Sequence, residues 1–138
     1  MKFYLSASFD RQAEMRGYAE QLRTLGHEVT STWIDAEKDL TLEEDTSSAL
    51  EKAAVTNFQE IKNSDILIAF TEDDNAPSSR KRGNRHVEFG IACGAGIGAH
   101  IIGPVELLMH APFAWKPLNH STTWAEFLDK FTEERDAT

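Results

Sequence analysis

Apolar positions along the chain switch repeatedly between two periods. Residues 2–8, KFYLSAS, read as a short strand that ends in small residues. Met15, Tyr18, Ala19, Leu22 and Leu25 then recur at helical spacing, which predicts an amphipathic helix that Gly26 is placed to end. HEVTSTW (residues 27–33) is rich in β-branched residues and predicts a second strand. Residues 35–45 are acidic and lack a period, as an exposed loop would. From about residue 46 to 62 a helical stripe returns through Leu50, Ala53, Ala54 and Ile61. DILIAF (residues 65–70) is the unbroken apolar run expected of a strand covered on both faces. A polar loop, TEDDNAPSSRKRG (residues 71–83), precedes a helix from about Asn84 to Cys93, which the glycines of GAGIG close. HIIG (residues 100–103) reads as a fourth strand. Residues 104–120 read as irregular around Pro104, Pro112 and Pro117, and Trp124, Phe127, Leu128 and Phe131 mark a last helix.

Strands alternating with helices over short links predict an α/β fold. The expectation is a single-domain, three-layer Rossmann- or flavodoxin-like sandwich around a central, mainly parallel sheet of four to five strands. At 138 residues, positions 1–138 make one domain with one core. Ligands of such sheets bind beyond the carboxyl ends of the strands. That rule selects SASFDR (residues 6–11), TEDDNAPSSRKRG and GPVELLMH (residues 103–110) as the rim.

Charge narrows the choice of partner. A net charge of −9 argues against binding a nucleic-acid polymer or an anionic membrane, yet leaves room for a local pocket that takes one phosphate. No apolar run approaches the ~20 residues of a membrane span. The opening MKFYLSASFD lacks the apolar stretch of a signal peptide, and the single cysteine, Cys93, cannot form an internal disulfide. A cytoplasmic protein is the expectation.

Against this acidic background Arg80, Lys81, Arg82 and Arg85 crowd together just before one carboxylate, Glu88. Glu88 has two readings. It is a carboxylate favoured by a helix dipole, or a nucleophile that the dipole and the cations hold ionised. The basic cluster is a solvated loop, or a phosphate clamp at a helix N-terminus. Asn57 lies four residues from both Ala53 and Ile61, on the apolar stripe of its helix; it either satisfies core backbone groups or points into the crevice. HVE (residues 86–88) lacks the paired cysteines of a zinc deaminase, the five histidines show no metal spacing, and GAGIG is a helix stop rather than a dinucleotide loop. Neither a metal nor a cofactor is implied.

Three motifs in order resemble the nucleoside 2-deoxyribosyltransferase superfamily, above all its short phage and bacterial members and the related deoxynucleoside 5′-monophosphate N-glycosidases. They are FYLSASFDRQAEMRGYAEQLRTLGHEVTS, NFQEIKNSDILIAFTE and RGNRHVEFGIACGAGIGAHIIGP, followed by TWAEFL. The resemblance implies cleavage of the N-glycosidic bond of a 2′-deoxynucleoside or its 5′-monophosphate through a covalent glycosyl-Glu88 intermediate, with the sugar passed to another base or to water. It implies Glu88 as nucleophile and Tyr4 as the tyrosine that orients it. Ser6, Ser8 and Arg11 match the first loop, and Glu72, Asp74, Arg82, Gly83, Asn84 and Arg85 fall on the remaining substrate rim. The family aspartate that protonates the departing base is replaced by Asn57, which cannot act as an acid near neutral pH. A loop acid (Glu72, Asp73 or Asp74) is then a candidate substitute. The arginines point to a nucleotide rather than a free nucleoside. Relatives complete their pockets with a neighbour's C-terminal region, so a homo-oligomer is expected. Two readings compete with this enzyme: a non-catalytic nucleotide sensor of the same fold, motivated by Asn57, and a phosphoryl-handling protein using the basic loop.

Overall fold

The structure is a computed structural model that describes residues 1–37, 47–73, 75–77, 84–104, 106 and 120–136. Five strands form one sheet: β1 (Lys2–Ser6), β2 (Glu28–Val29), β3 (Ile66–Phe70), β4 (Gly98–Ile102) and β5 (His120–Ser121). Their spatial order is β2-β1-β3-β4-β5, and every neighbouring pair is parallel. Among the described residues four α-helices accompany them: α1 (Gln12–Thr24), α2 (Ser47–Lys62), α3 (Asn84–Gly94) and α4 (Trp124–Asp136).

Alternation along the strands sorts the core into two halves. Phe3, Leu5, Ile66, Ile68, Phe70 and Ile102 face one side, where α1 brings Met15, Ala19 and Leu22, and α4 brings Trp124, Phe127 and Phe131. Tyr4, Leu67, Ala69, Ala99 and Ile101 face the other, against Ile61 of α2 and Phe89 and Ala92 of α3. All five residues of β3 are buried, as its apolar run requires. Tyr18 of α1 lies between Phe70 and Trp124, with ring centroids 5.5 and 4.4 Å away, which ties the two helices of the first layer to the sheet. The result is the expected three-layer α/β sandwich. Among the described residues no helix is long and apolar enough to cross a membrane.

Helices α1 and α3 stop in the same way. Gly26 (φ 90°) donates its N–H to Arg23 O while His27 N–H reaches Leu22 O; Gly96 (φ 74°) and Ile97 repeat this on Cys93 and Ala92. This pairing satisfies two end carbonyls of each helix and needs the left-handed backbone that glycine adopts without strain.

Three expectations need correction. HEVTSTW yields only two strand residues, and Thr32–Asp35 form a 3₁₀ turn. The reason is that the side chains of Ser31 and Trp33 bond the end of β1: Leu5 N–H donates to Ser31 Oγ at 3.1 Å and Trp33 Nε1 donates to Leu5 O at 2.6 Å. GAGIG is shared between a helix end and a strand start, because Gly94 closes α3 and Gly98 opens β4. A fifth strand, β5, stands at the end of the stretch expected to be irregular.

Candidate active site

The strand order reverses direction between β1 and β3, and such a switch point opens a crevice at the carboxyl ends of the strands. Tyr4 and Ser6 project from the same face of β1, and both are fully buried. Glu88 comes over them from the second turn of α3 and stays half-buried. Tyr4 Oη donates to Glu88 Oε2 at 2.5 Å, and Ser6 Oγ donates to Oε1 at 2.9 Å. Each carboxylate oxygen is thus held by one hydroxyl, which fixes the plane of the group.

The electrostatics differ from the expectation that the helix dipole and nearby cations keep Glu88 ionised. Burial pushes its carboxyl above the usual range, the bonds from Tyr4 and Ser6 oppose that, and the charge of Glu60 adds to the rise. Tyr4 is pushed far upward, by burial first and then by Glu88 and Glu60, so it stays a neutral donor. A carboxylate with raised basicity, gripped by two donors, is chemically suited to attack an electrophilic carbon.

The other rim residues form separate groups. Arg11, at the start of α1, donates Nε and Nη2 to Glu14 at 2.8 and 2.7 Å, and Nη1 to Glu72 Oε1 at 3.2 Å and Thr71 O at 3.4 Å. Its guanidinium lies 5.5 Å from the centre of the Phe70 ring. Arg11 and Glu72 are therefore brought together, but on each other. Ser8 Oγ donates to Asp10 Oδ1 at 2.8 Å within the 3₁₀ turn Phe9–Arg11. Arg85 falls on the buried stripe of Phe89 and Ala92 and places its fork on Glu106, with Nη2 to Oε1 at 2.6 Å and Nε to Oε2 at 3.3 Å. His86 Nε2 is 3.6 Å from the same carboxylate. The guanidinium expected to meet a phosphate is thus matched by a carboxylate of the segment after β4. Asn57 is half-buried on the inward face of α2 and has no hydrogen-bond partner among the described residues. Asp73 is exposed. Asp74, Arg82 and Gly83, and the side chain of Asn84, lie outside the described residues.

Sequence reasoning passed over Glu60, Glu106 and Trp33. Glu60 sits three residues beyond Asn57 on the same helical stripe, so the period pointed to it. Glu106 lies in a segment already selected as rim. Among the described residues no group of three His, Cys, Asp or Glu side chains stands together as a metal site would require.

Solved structures share this fold. A CMP N-glycosidase from Clostridium botulinum aligns with a TM-score of 0.55 at 16% identity, covering 96% of this chain and 98% of its own. A 2-deoxyribosyltransferase from Bacillus psychrosaccharolyticus gives 0.58 at 21% identity, over 80% and 81% of the two chains. A conserved protein from Enterococcus faecalis V583 gives 0.50 at 19% identity, over 84% and 71%. No protein-family model matches the chain, and no curated protein matches it in sequence. At these identities the likeness establishes the fold.

Proposed function

We propose that the chain is a nucleoside 2-deoxyribosyltransferase-like enzyme that breaks the N-glycosidic bond of a nucleoside or nucleoside 5′-monophosphate, with Glu88 as nucleophile. The observation that carries this reading is the grip of Tyr4 and Ser6 on the two oxygens of one half-buried glutamate, at the switch point of the sheet. The fold shared with a CMP N-glycosidase and a 2-deoxyribosyltransferase supports it.

In this mechanism a Glu88 oxygen attacks C1′ as the C1′–N bond breaks. The base leaves with the bonding pair and takes up a proton, and the sugar remains as an ester of Glu88. Water or the ring nitrogen of a second base then attacks C1′, the ester bond breaks, and Glu88 regains its carboxylate. When water is the acceptor, its proton passes to solvent. Two displacements at one carbon retain configuration, as in retaining glycosidases. Tyr4 and Ser6 hold the carboxylate in line, while Asn57 offers hydrogen bonds but no proton. Glu72 is engaged by Arg11, so water supplies the proton of the leaving base more readily than that side chain does.

A 5′-phosphate would need cations, and Arg11 and Arg85 are already bonded to carboxylates. The preference for a nucleotide therefore leans on Arg80, Lys81 and Arg82, outside the described residues. Exposed Leu50, Val55 and Phe58 on α2 support an assembly of several copies.

The test is base release from deoxycytidine, dCMP and CMP, with intact mass of the quenched protein. The expected result is a sugar-sized adduct on wild type, none on Glu88→Gln, and a rate loss of at least ~10³-fold in that variant. Wild-type turnover by Glu88→Gln refutes the nucleophile. Tight binding with neither adduct nor release favours the sensor reading that Asn57 motivates.

A further inference from the structure

Helix α2 carries a carboxylate that the mechanism above does not use. Glu60 is half-buried, three residues beyond Asn57 and next to Ile61, which is fully buried in the cluster that holds Tyr4. One residue takes both of its oxygens: Thr32 N–H donates to Oε1 at 3.1 Å and Thr32 Oγ1 donates to Oε2 at 2.6 Å. Among the described residues Thr32 alone thus fixes the plane of this carboxyl group.

Thr32 stands between the two residues that brace β1. Leu5 has its N–H and C=O on the side where β2 has already ended, so no strand satisfies them. Ser31 Oγ accepts that N–H, and Trp33 Nε1 donates to that C=O. Leu5 lies between Tyr4 and Ser6, the two donors to Glu88. A bonded path therefore runs from Glu60 through Thr32 and its neighbours to the strand end that aims both hydroxyls. The charge of Glu60 also reaches the site through space, since it opposes ionisation of both Tyr4 and Glu88.

We propose that Glu60 is a positioning residue of this site: it locks the Ser31–Trp33 brace onto the strand end presenting Tyr4 and Ser6, and its fixed negative charge favours a sugar that becomes cationic as the base departs. The inference rests on Glu88 being the nucleophile. Transition states of glycoside cleavage carry positive charge on the sugar ring. A unit charge acting through an effective dielectric of about 20 is worth roughly tenfold in rate at separations on the order of 10 Å.

The groups that face Glu88 from each packed element decide the pH behaviour. Among the described residues they are Tyr4 and Ser6 from β1 and Glu60 from α2, while Arg85 and His86 of α3 itself meet Glu106. Removing the negative neighbour should ease ionisation of Glu88. Glu60→Gln keeps the shape and one acceptor oxygen but loses the charge. With whichever of CMP, dCMP and deoxycytidine the wild type cleaves, kcat should fall roughly tenfold with KM within about twofold. The acid limb of the rate profile should move to lower pH. Glu60→Asp should recover part of the rate, and Thr32→Val should lower kcat without moving the limb. Carbon-13 carboxyl NMR reads the same shift with no substrate present: the Glu88 titration should move down in Glu60→Gln. An unmoved titration, or a rate loss with an unmoved limb, overturns the proposal. Glu88→Gln in parallel separates the two ideas. If that variant is inactive and Glu60→Gln behaves as wild type, only the present inference fails; if Glu88→Gln turns over normally, the nucleophile fails first.

Discussion

Replacing Tyr4 by phenylalanine removes one oxygen and little else, because the ring stays in a fully buried position between the sheet and α3. What is lost is a 2.5 Å bond to Glu88 Oε2, leaving Ser6 at 2.9 Å as the remaining donor from β1. A hydrogen bond to a charged group is worth ~1.5–3 kcal/mol, so kcat/KM should drop about 10–150-fold. The same bond lowers the carboxyl pKa of Glu88 against the upward push of burial, so its loss lets that pKa rise further. The acid limb of the rate profile should accordingly move to higher pH. Stability supplies an independent reading. A carboxyl raised in the folded state contributes stability below its ordinary pKa and loses it as pH rises through the folded value. Tyr4→Phe should therefore be less stable than wild type where Glu88 is ionised, with the gap narrowing as pH falls through the raised folded-state pKa and the carboxyl takes up a proton in both proteins. Urea melts across the pH range and a pH–rate profile measure this. An unchanged limb together with an unchanged melt would mean that Tyr4 does not hold the working carboxylate.

Three further outcomes follow from other contacts. Asn57→Asp should raise base release by up to ~10²-fold if the restored carboxyl, one helical turn from Glu60, donates to the leaving base; no gain in single-turnover rate would show that position 57 does not reach the base. Gly103→Ala should destabilise by about 2–4 kcal/mol in urea melts, because φ is 116° and the added Cβ would lie 2.7 Å from Thr71 Oγ1 and 3.2 Å from Thr71 O. Thr71→Ala should relieve only the part due to the hydroxyl, which is anchored on Pro104 O at 2.5 Å. Glu126 is held down to about 2, chiefly by the Thr122 hydroxyl and then by Lys130. Its contribution to α4 is present above the ordinary carboxylate range and lost as pH falls toward 2, so Glu126→Gln and wild type should differ in helicity at neutral pH and converge in strong acid.

Much of the architecture was legible because burial leaves a simple trace. Ile66 to Phe70 read as a doubly covered strand since helices do lie on both faces, and Met15, Ala19 and Leu22 read as a helix stripe since α1 buries that stripe alone. The second strand was overread because the β-branched run competes with two side-chain bonds to Leu5, which no local propensity reveals. At the site, the strand period puts Tyr4 and Ser6 on one face of β1, but only the sheet order brings α3 over them. Arg85 looked free in the sequence because its partner, Glu106, is 21 positions away, and the close approach of β4's end to α3 exists only in three dimensions.

Among the described residues the two outermost strands, β2 and β5, are two residues long each, and where β1 outruns β2 its outward amide and carbonyl are already taken by Ser31 and Trp33. Among the described residues neither margin therefore offers a ladder long enough to template an incoming polypeptide. A protein built this way can keep its crevice accessible to small solutes while remaining a poor seed for self-association through main-chain pairing.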